Sequence, residues 1–125
     1  MNLLLVFVGA GSGGVLRYAL GLAVLRLGLS GHLAAPIVNI VGSFLMGALV
    51  AYLVGRSSWP EGWRLLLATG FLGGFTTFSA FSLDAVLLYE RGQPGVAAAY
   101  VIGSVVLSIA ALFAGLVAVR AMTAA

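Results

Sequence analysis

The stretch GFLGGFTTFSAF, residues 70–81, lies inside a strongly apolar segment and decides the fold of this chain. It combines Gly73 and Gly74 with two threonines, a serine and four phenylalanines. Glycine loosens a helix, so that backbone carbonyls can leave the helical hydrogen-bond ladder. Irregular backbone at membrane depth is stable only where it is buried in protein or lines a polar cavity. The stretch therefore predicts a membrane helix broken near its middle and a site for an ion or polar solute.

The composition places the chain in the membrane. Of its 125 residues, 62% are apolar and 7% are charged, and the mean hydropathy is +1.20. A soluble domain would carry roughly a quarter charged residues. The apolar runs are continuous, whereas barrel strands would alternate in segments of about ten residues. We therefore expect an all-α integral membrane protein.

Four apolar runs are long enough to cross the hydrocarbon core, which takes about 20 helical residues. They cover approximately residues 3–29, 34–55, 63–89 and 96–120, with short connections between them. The first run lacks the basic flank of a signal peptide, so we interpret it as a retained helix. The whole chain, residues 1–125, is expected to form a single transmembrane domain.

The arginines are almost evenly divided between the two sides that four spans define. One side would carry Arg56, Arg64 and Arg120, and the other Arg26 and Arg91, with Arg17 deeper in the first span. The positive-inside rule then gives almost no orientation bias. Charge alone leaves two possibilities open: insertion in both orientations with antiparallel pairing, or one orientation set by a single arginine. Singly scattered arginines also argue against nucleic-acid binding.

Polar side chains inside the spans form stripes. Such residues are expensive in lipid and face protein or a cavity. A single membrane serine is more often bonded to its own helix, and a single phenylalanine is more often core. Asn39 is harder to dismiss, because its amide has donors and an acceptor to satisfy. The stripes together indicate a polar pathway; they are Asn39 with Ser43, Phe78 with Phe81, and Tyr100 with Ser104 and Ser108.

The polar groups in these stripes suit an anion. The first, second and fourth spans hold no acidic residue, and the third has only Asp84, beyond the glycines. Proton relays and cation exporters usually need a carboxylate within the membrane. Amide and hydroxyl donors with the positive edges of phenyl rings would instead replace part of an anion's hydration shell. These residues indicate a small anion without choosing among the halides.

Four motifs, in order, then resemble the Fluc/CrcB fluoride channel family over essentially the whole chain. They are GGVLRY at 13–18, NIVGSFLMG at 39–47, GGFTTFSAF at 73–81 and YVIGSVVLS at 100–108. The resemblance implies an antiparallel dual-topology homodimer with two separate pores in the inner membrane of a bacterium. It further implies passive export of fluoride from the cytosol, which lowers fluoride toxicity, and no enzymatic activity.

The resemblance also assigns roles to residues. It implies that a structural sodium ion at the dimer interface is held by the backbone carbonyls of Gly73 and Thr76. Ala80 stands where the family often has threonine, and Asp84 where glutamate is common, so the Ala80→Thr flux would show whether the missing hydroxyl matters. The implied pore lining is Asn39, Ser43, Phe78, Phe81, Tyr100, Ser104 and Ser108.

Some residues and functions keep competing interpretations. Arg17 could snorkel to the surface, line an aqueous vestibule, or pair with a carboxylate such as Asp84. The alternative function is a small dual-topology multidrug or cation exporter, although such exporters depend on a glutamate in a first helix that here has none. A purely structural subunit would not explain the donor stripes. An enzyme is disfavoured because the hydroxyls lack a partner base, and the single histidine, His32, is expected to be solvated in a loop.

Overall fold

The computed structural model describes residues 1–54, 56 and 59–125, and all regular structure in these ranges is helical. Four stretches of it are long and apolar enough to cross a membrane, which confirms the predicted all-helical membrane fold. The predicted end of the second span at residue 55, and loop positions 57 and 58, lie outside the described ranges. The helical elements are α1 (Asn2–Arg26), a 3-10 turn (Gly31–Leu33), α2 (Ala34–Val54), α3 (Glu61–Arg64), a π-helical segment (Leu65–Leu72), α4 (Gly73–Phe75), α5 (Phe78–Glu90) and α6 (Pro94–Ala124).

Helices α1 and α6 differ from the sequence-based bounds. Helix α1 ends at Arg26 rather than near residue 29, because the chain turns at Gly28, whose φ of 76° suits glycine. Helix α6 starts at Pro94 rather than near residue 96, since a first turn does not need the missing proline N–H, and it continues to Ala124 rather than to residue 120. Hydropathy marks only the apolar part of a helix, so α6 is longer than its predicted span.

The third span is not one regular helix. It runs through α3, the π-helical segment and α4, and then Thr76 and Thr77 adopt extended backbone conformations. Their φ and ψ angles are −82° and 160° for Thr76, and −152° and 121° for Thr77. Helix α5 then starts at Phe78, and the Thr77 hydroxyl oxygen caps it by accepting a 3.2 Å hydrogen bond from the Ala80 amide.

The helices pack as two groups joined through the third span. Helix α1 lies against the π-helical segment and α4, while α2 and α5 lie against α6. Glycines permit these close approaches: a Cβ on Gly13 would overlap the Phe71 carbonyl, and a Cβ on Gly47 would overlap that of Leu112. Gly13 and Gly47 therefore serve helix packing within the chain.

Candidate ion pathway

A cavity of about 380 Å³ lies between α2, α5, α6 and the extended pair Thr76–Thr77. We call it the central groove. Tyr100 does not line it but lies beside it, stacked on Phe81. Three different elements thus bring together most of the side chains that the sequence singled out. Those in the groove are Asn39, Ser43, Phe78, Phe81, Ser104 and Ser108.

Asn39 and Thr77 hold the groove together by exchanging two hydrogen bonds. The Asn39 Nδ2 donates to the Thr77 carbonyl at 2.9 Å, and the Thr77 amide donates to the Asn39 Oδ1 at 2.8 Å. The Asn39 side chain therefore takes the place of the helical partners that the extended backbone gives up. An amide nitrogen carries two hydrogens, so the second one is left to donate to a solute in the groove.

The phenylalanines of the 70–81 stretch divide into core and groove. Phe75 is only 2% exposed and packs in the interior, whereas Phe78 is 78% exposed. The Phe78 and Phe81 ring centroids lie 5.5 Å apart, and Phe81 stacks on Tyr100 at 5.5 Å and 15°. These contacts form a continuous row of three rings along the groove.

The serine hydroxyls of the groove do not follow the common pattern of bonding to their own helix. Ser82 and Thr76 do follow it, each donating to the carbonyl four residues earlier at 2.9 Å. For Ser43, Ser104 and Ser108, no side-chain hydrogen bond to any described residue is present. These three hydroxyls are therefore able to donate to a solute.

Two carbonyls beside the extended residues Thr76 and Thr77 have lost their regular donors. In a helix, the Gly73 carbonyl would accept from the Thr77 amide, but that amide donates to Asn39 instead. The Thr76 carbonyl would accept from the Ala80 amide, which donates to the Thr77 hydroxyl oxygen. Carbonyl oxygens released from a helix are the hard ligands that a cation such as sodium prefers.

The charged and titratable side chains that the sequence singled out lie outside the lining of the groove. Asp84 Oδ2 accepts a 3.2 Å hydrogen bond from the Tyr100 hydroxyl. Within the described ranges no salt bridge joins Asp84 to the half-buried Arg17; the ion pair found there links Arg64 to Glu61 at 3.8 Å. His32 is half-buried in the 3-10 turn, where its ring meets Tyr100 edge-on, so it is less exposed than the sequence indicated.

Sequence reasoning missed Thr77 as a site residue. It is 8% exposed, and it contributes its amide, carbonyl and hydroxyl oxygen to the network around Asn39. Its partner lies 38 positions away, so no local pattern predicts the contact. The only signal was the adjacent pair of threonines after the double glycine, where a hydroxyl is well placed to cap the next helix.

This chain is similar to a known protein family and to several known proteins over most of its length. A family described as "CrcB-like protein, Camphor Resistance (CrcB)" matches residues 4–116. A protein of Nitrobacter hamburgensis named fluoride-specific ion channel FluC 2 is 52% identical over 98% of this chain and its own full length. A fluoride-specific ion channel FluC of Methylobacterium nodulans is 52% identical over 96% of this chain and 97% of its own. Another from Cereibacter sphaeroides is 53% identical over 95% and 94%.

Proposed function

This chain belongs to the CrcB-like family, and from that premise we propose that it is a fluoride-specific ion channel of a bacterial inner membrane. The resemblance to fluoride channels inferred from the motifs is confirmed. The family is one of ion channels, so the chain is not an enzyme. The alternative, a multidrug or cation exporter, loses its support. As a passive channel, the protein would let cytosolic fluoride leave and so lower its toxicity.

The single observation that carries this function is the donor set of the central groove. Fluoride entering it would exchange water for the second Asn39 N–H, the hydroxyls of Ser43, Ser104 and Ser108, and the edges of Phe78 and Phe81. Of these, the ring edges bind an anion only weakly. Weak binding at several sites lets an ion enter and also leave, which conduction requires.

We propose further that the channel is an antiparallel homodimer with one pore in each half. A ring that is 78% exposed at the edge of a polar groove leaves that groove open on one side. A second copy in the opposite orientation would close it, and the balanced arginines allow both orientations. In this arrangement the third helix stays broken at Thr76–Thr77 in both copies. Arg17 contributes positive charge to an aqueous vestibule at the end of the pore.

A sodium ion at the dimer centre is the third part of the proposal. The Gly73 and Thr76 carbonyls of the two copies would hold it, since both have given up their helical donors to Asn39 and Thr77. The ion would neutralise the carbonyl dipoles where the two breaks meet. Replacing sodium by a large organic cation during purification should lower the melting temperature of the dimer. An unchanged melting temperature would contradict the site.

Fluoride efflux from liposomes that contain only this purified protein tests the proposed function, with chloride efflux as the comparison. We expect fast fluoride loss, little chloride loss, and slower fluoride loss for Phe78→Ile and Asn39→Asp. Phe7→Ile is the matched control, because Phe7 is 75% exposed but lies outside the groove, near the start of α1. Absence of fluoride flux from folded wild-type protein would overturn the proposed function.

A further inference from the structure

A second cavity, of about 690 Å³, lies where the 3-10 turn meets the end of α5. We call it the mouth cavity. Its lining residues include His32, Asp84 and Arg91, together with Ser30 and Gln93. None of the roles described so far uses His32 or Arg91. The cavity holds both signs of charge and the only histidine of the sequence.

Tyr100 connects the mouth cavity to the central groove. Its hydroxyl donates to Asp84 Oδ2 at 3.2 Å, and the edge-to-face contact with His32 has a centroid distance of 5.8 Å at 73°. On the groove side the same ring stacks on Phe81, which in turn contacts Phe78. A change in the hydrogen bonding or position of Tyr100 therefore reaches the row of rings along the groove.

From these contacts we propose that His32 is a positioning residue for Tyr100 and makes fluoride passage depend on pH. The inference rests on the proposed function and adds a regulation of the same pathway. An imidazole titrates in the range of about pH 5 to 8, where no other unperturbed side chain does. The protonation state of His32 then decides whether the Tyr100 hydroxyl is held by Asp84 or released, and the stack of Tyr100 on Phe81 transmits this change to the groove.

The switch follows from competition for one carboxylate. While His32 is neutral, Asp84 accepts a hydrogen bond from the Tyr100 hydroxyl and holds the Tyr100 ring against Phe81. When His32 takes up a proton from water, its imidazolium attracts Asp84 within the same cavity, and the Tyr100 hydroxyl is released. Fluoride passage therefore increases as pH falls.

The elements around His32 carry few other charged groups. Arg91 follows α5 and adds a fixed positive charge to the mouth cavity. Arg26 lies in the last turn of α1, which also packs against the 3-10 turn. Helix α2, the other neighbour of the turn, has no acidic or basic residue. Asp84 is thus the carboxylate through which His32 can act.

Fluoride efflux from liposomes, measured at equal inside and outside pH between about pH 8 and pH 6, tests the inference. The protein must carry no polyhistidine tag, so that His32 is its only histidine. Protein-free liposomes measure the leak of HF through the lipid, which is subtracted from the total efflux. Because a single added charge in water-filled surroundings changes anion entry only a few-fold, we expect wild-type flux to rise about threefold across this range. His32→Gln should remove the rise, and so should Asp84→Asn.

Arg91→Gln is the matched control in the same cavity. It removes a charge that does not titrate, so it should lower flux at every pH and retain the rise. Diethyl pyrocarbonate on wild-type protein gives a measurement without substitution: modification of the single histidine should flatten the profile, and hydroxylamine should restore it. A rise that persists in folded His32→Gln protein, or a flat wild-type profile with fast flux, overturns the inference and leaves the channel intact. Absence of flux at every pH would instead overturn the proposed function.

Discussion

Asn39 shows at the scale of a residue what the sequence could and could not predict. An amide within an apolar helix needs partners, so the sequence alone indicated that Asn39 is functional or tightly bonded. Its partner could not be predicted, because Thr77 comes close only when α2 and the third span pack together. The Asn39 side chain is both tightly bonded and available to a solute. Its Oδ1 and one Nδ2 hydrogen bond to Thr77, and the second Nδ2 hydrogen is left to donate.

The burial of the phenylalanines could likewise not be predicted from the sequence. Four of them lie within residues 70–81, and neither spacing nor composition separates Phe75, at 2% exposure, from Phe78, at 78%. The separation comes from the break: Phe75 ends α4 and points into the packed interior, whereas Phe78 starts α5 at the open side of the groove.

Substitution of these two rings should give opposite results. Phe75→Ala removes a fully packed ring and should reduce the free energy of unfolding by about 3–5 kcal/mol. Phe78→Ala should change protomer stability by less than about 0.5 kcal/mol, as for other exposed positions, but should strongly reduce fluoride flux. Unfolding in mixed detergent micelles measures the first quantity and liposome efflux the second. Equal loss of stability in both variants would contradict the division into core and groove.

At the scale of the element, the third span was the least predictable part of the fold. The double glycine predicted irregular backbone, yet the extended residues are Thr76 and Thr77, just after it. Gly74 instead allows α1 to approach, since a Cβ there would overlap the Ala10 carbonyl. The π-helical segment Leu65–Leu72 had no signal in the sequence, because its leucine-rich pattern suits an α-helix equally well.

The cap of α5 gives a prediction for the break. Thr77→Val keeps the side-chain shape but removes the hydroxyl oxygen that accepts from Ala80, and should destabilise the protein by about 1 kcal/mol. Thr77→Ser retains the oxygen and should restore most of this stability. Thermal unfolding in detergent, followed by circular dichroism, compares the three proteins. A Thr77→Val protein as stable as the wild type would contradict the role of the hydroxyl as a cap.

The contact between α1 and the third span gives a second stability prediction. Gly13→Ala places a methyl against the Phe71 carbonyl and the Phe75 amide, and should cost about 1–3 kcal/mol by overpacking. Gly21→Ala on the same helix meets nothing within 4 Å and should leave stability unchanged or slightly raised. The same unfolding assay distinguishes them, and a tolerated Gly13→Ala would mean that α1 can shift away from the third span.

For the whole molecule, the sequence established the class, the number of spans and the balance of arginines. It could not establish which faces meet, because the apolar residues that pack within the chain and those that face lipid are chemically alike. The groove therefore became visible only when α2, α5 and α6 were placed around the break.

Orientation is the property of the whole molecule that charge should control. Glu61→Lys adds a positive charge at the end that carries Arg64, and Glu90→Lys adds one at the end that carries Arg91. If copies in both orientations are needed, each variant alone should insert one way and lose most of its flux, and co-expression should restore it. The glutamine variants at both positions are the controls, because acidic residues contribute little to orientation. Full flux from either lysine variant alone would contradict the antiparallel dimer.

The π-helical segment Leu65–Leu72 has a consequence for how this span tolerates changes in length. A π-helical turn contains more residues than an α-helical turn of the same rise. The segment therefore accommodates extra residues between α3 and α4. Deleting one leucine there would let a regular α-turn form while the flanking parts keep their relative orientation. The same deletion within a regular α-helix would rotate everything that follows by about 100°. The π-helical segment is therefore the part of this span that can lose a residue without turning the glycines that face α1 away from their partners.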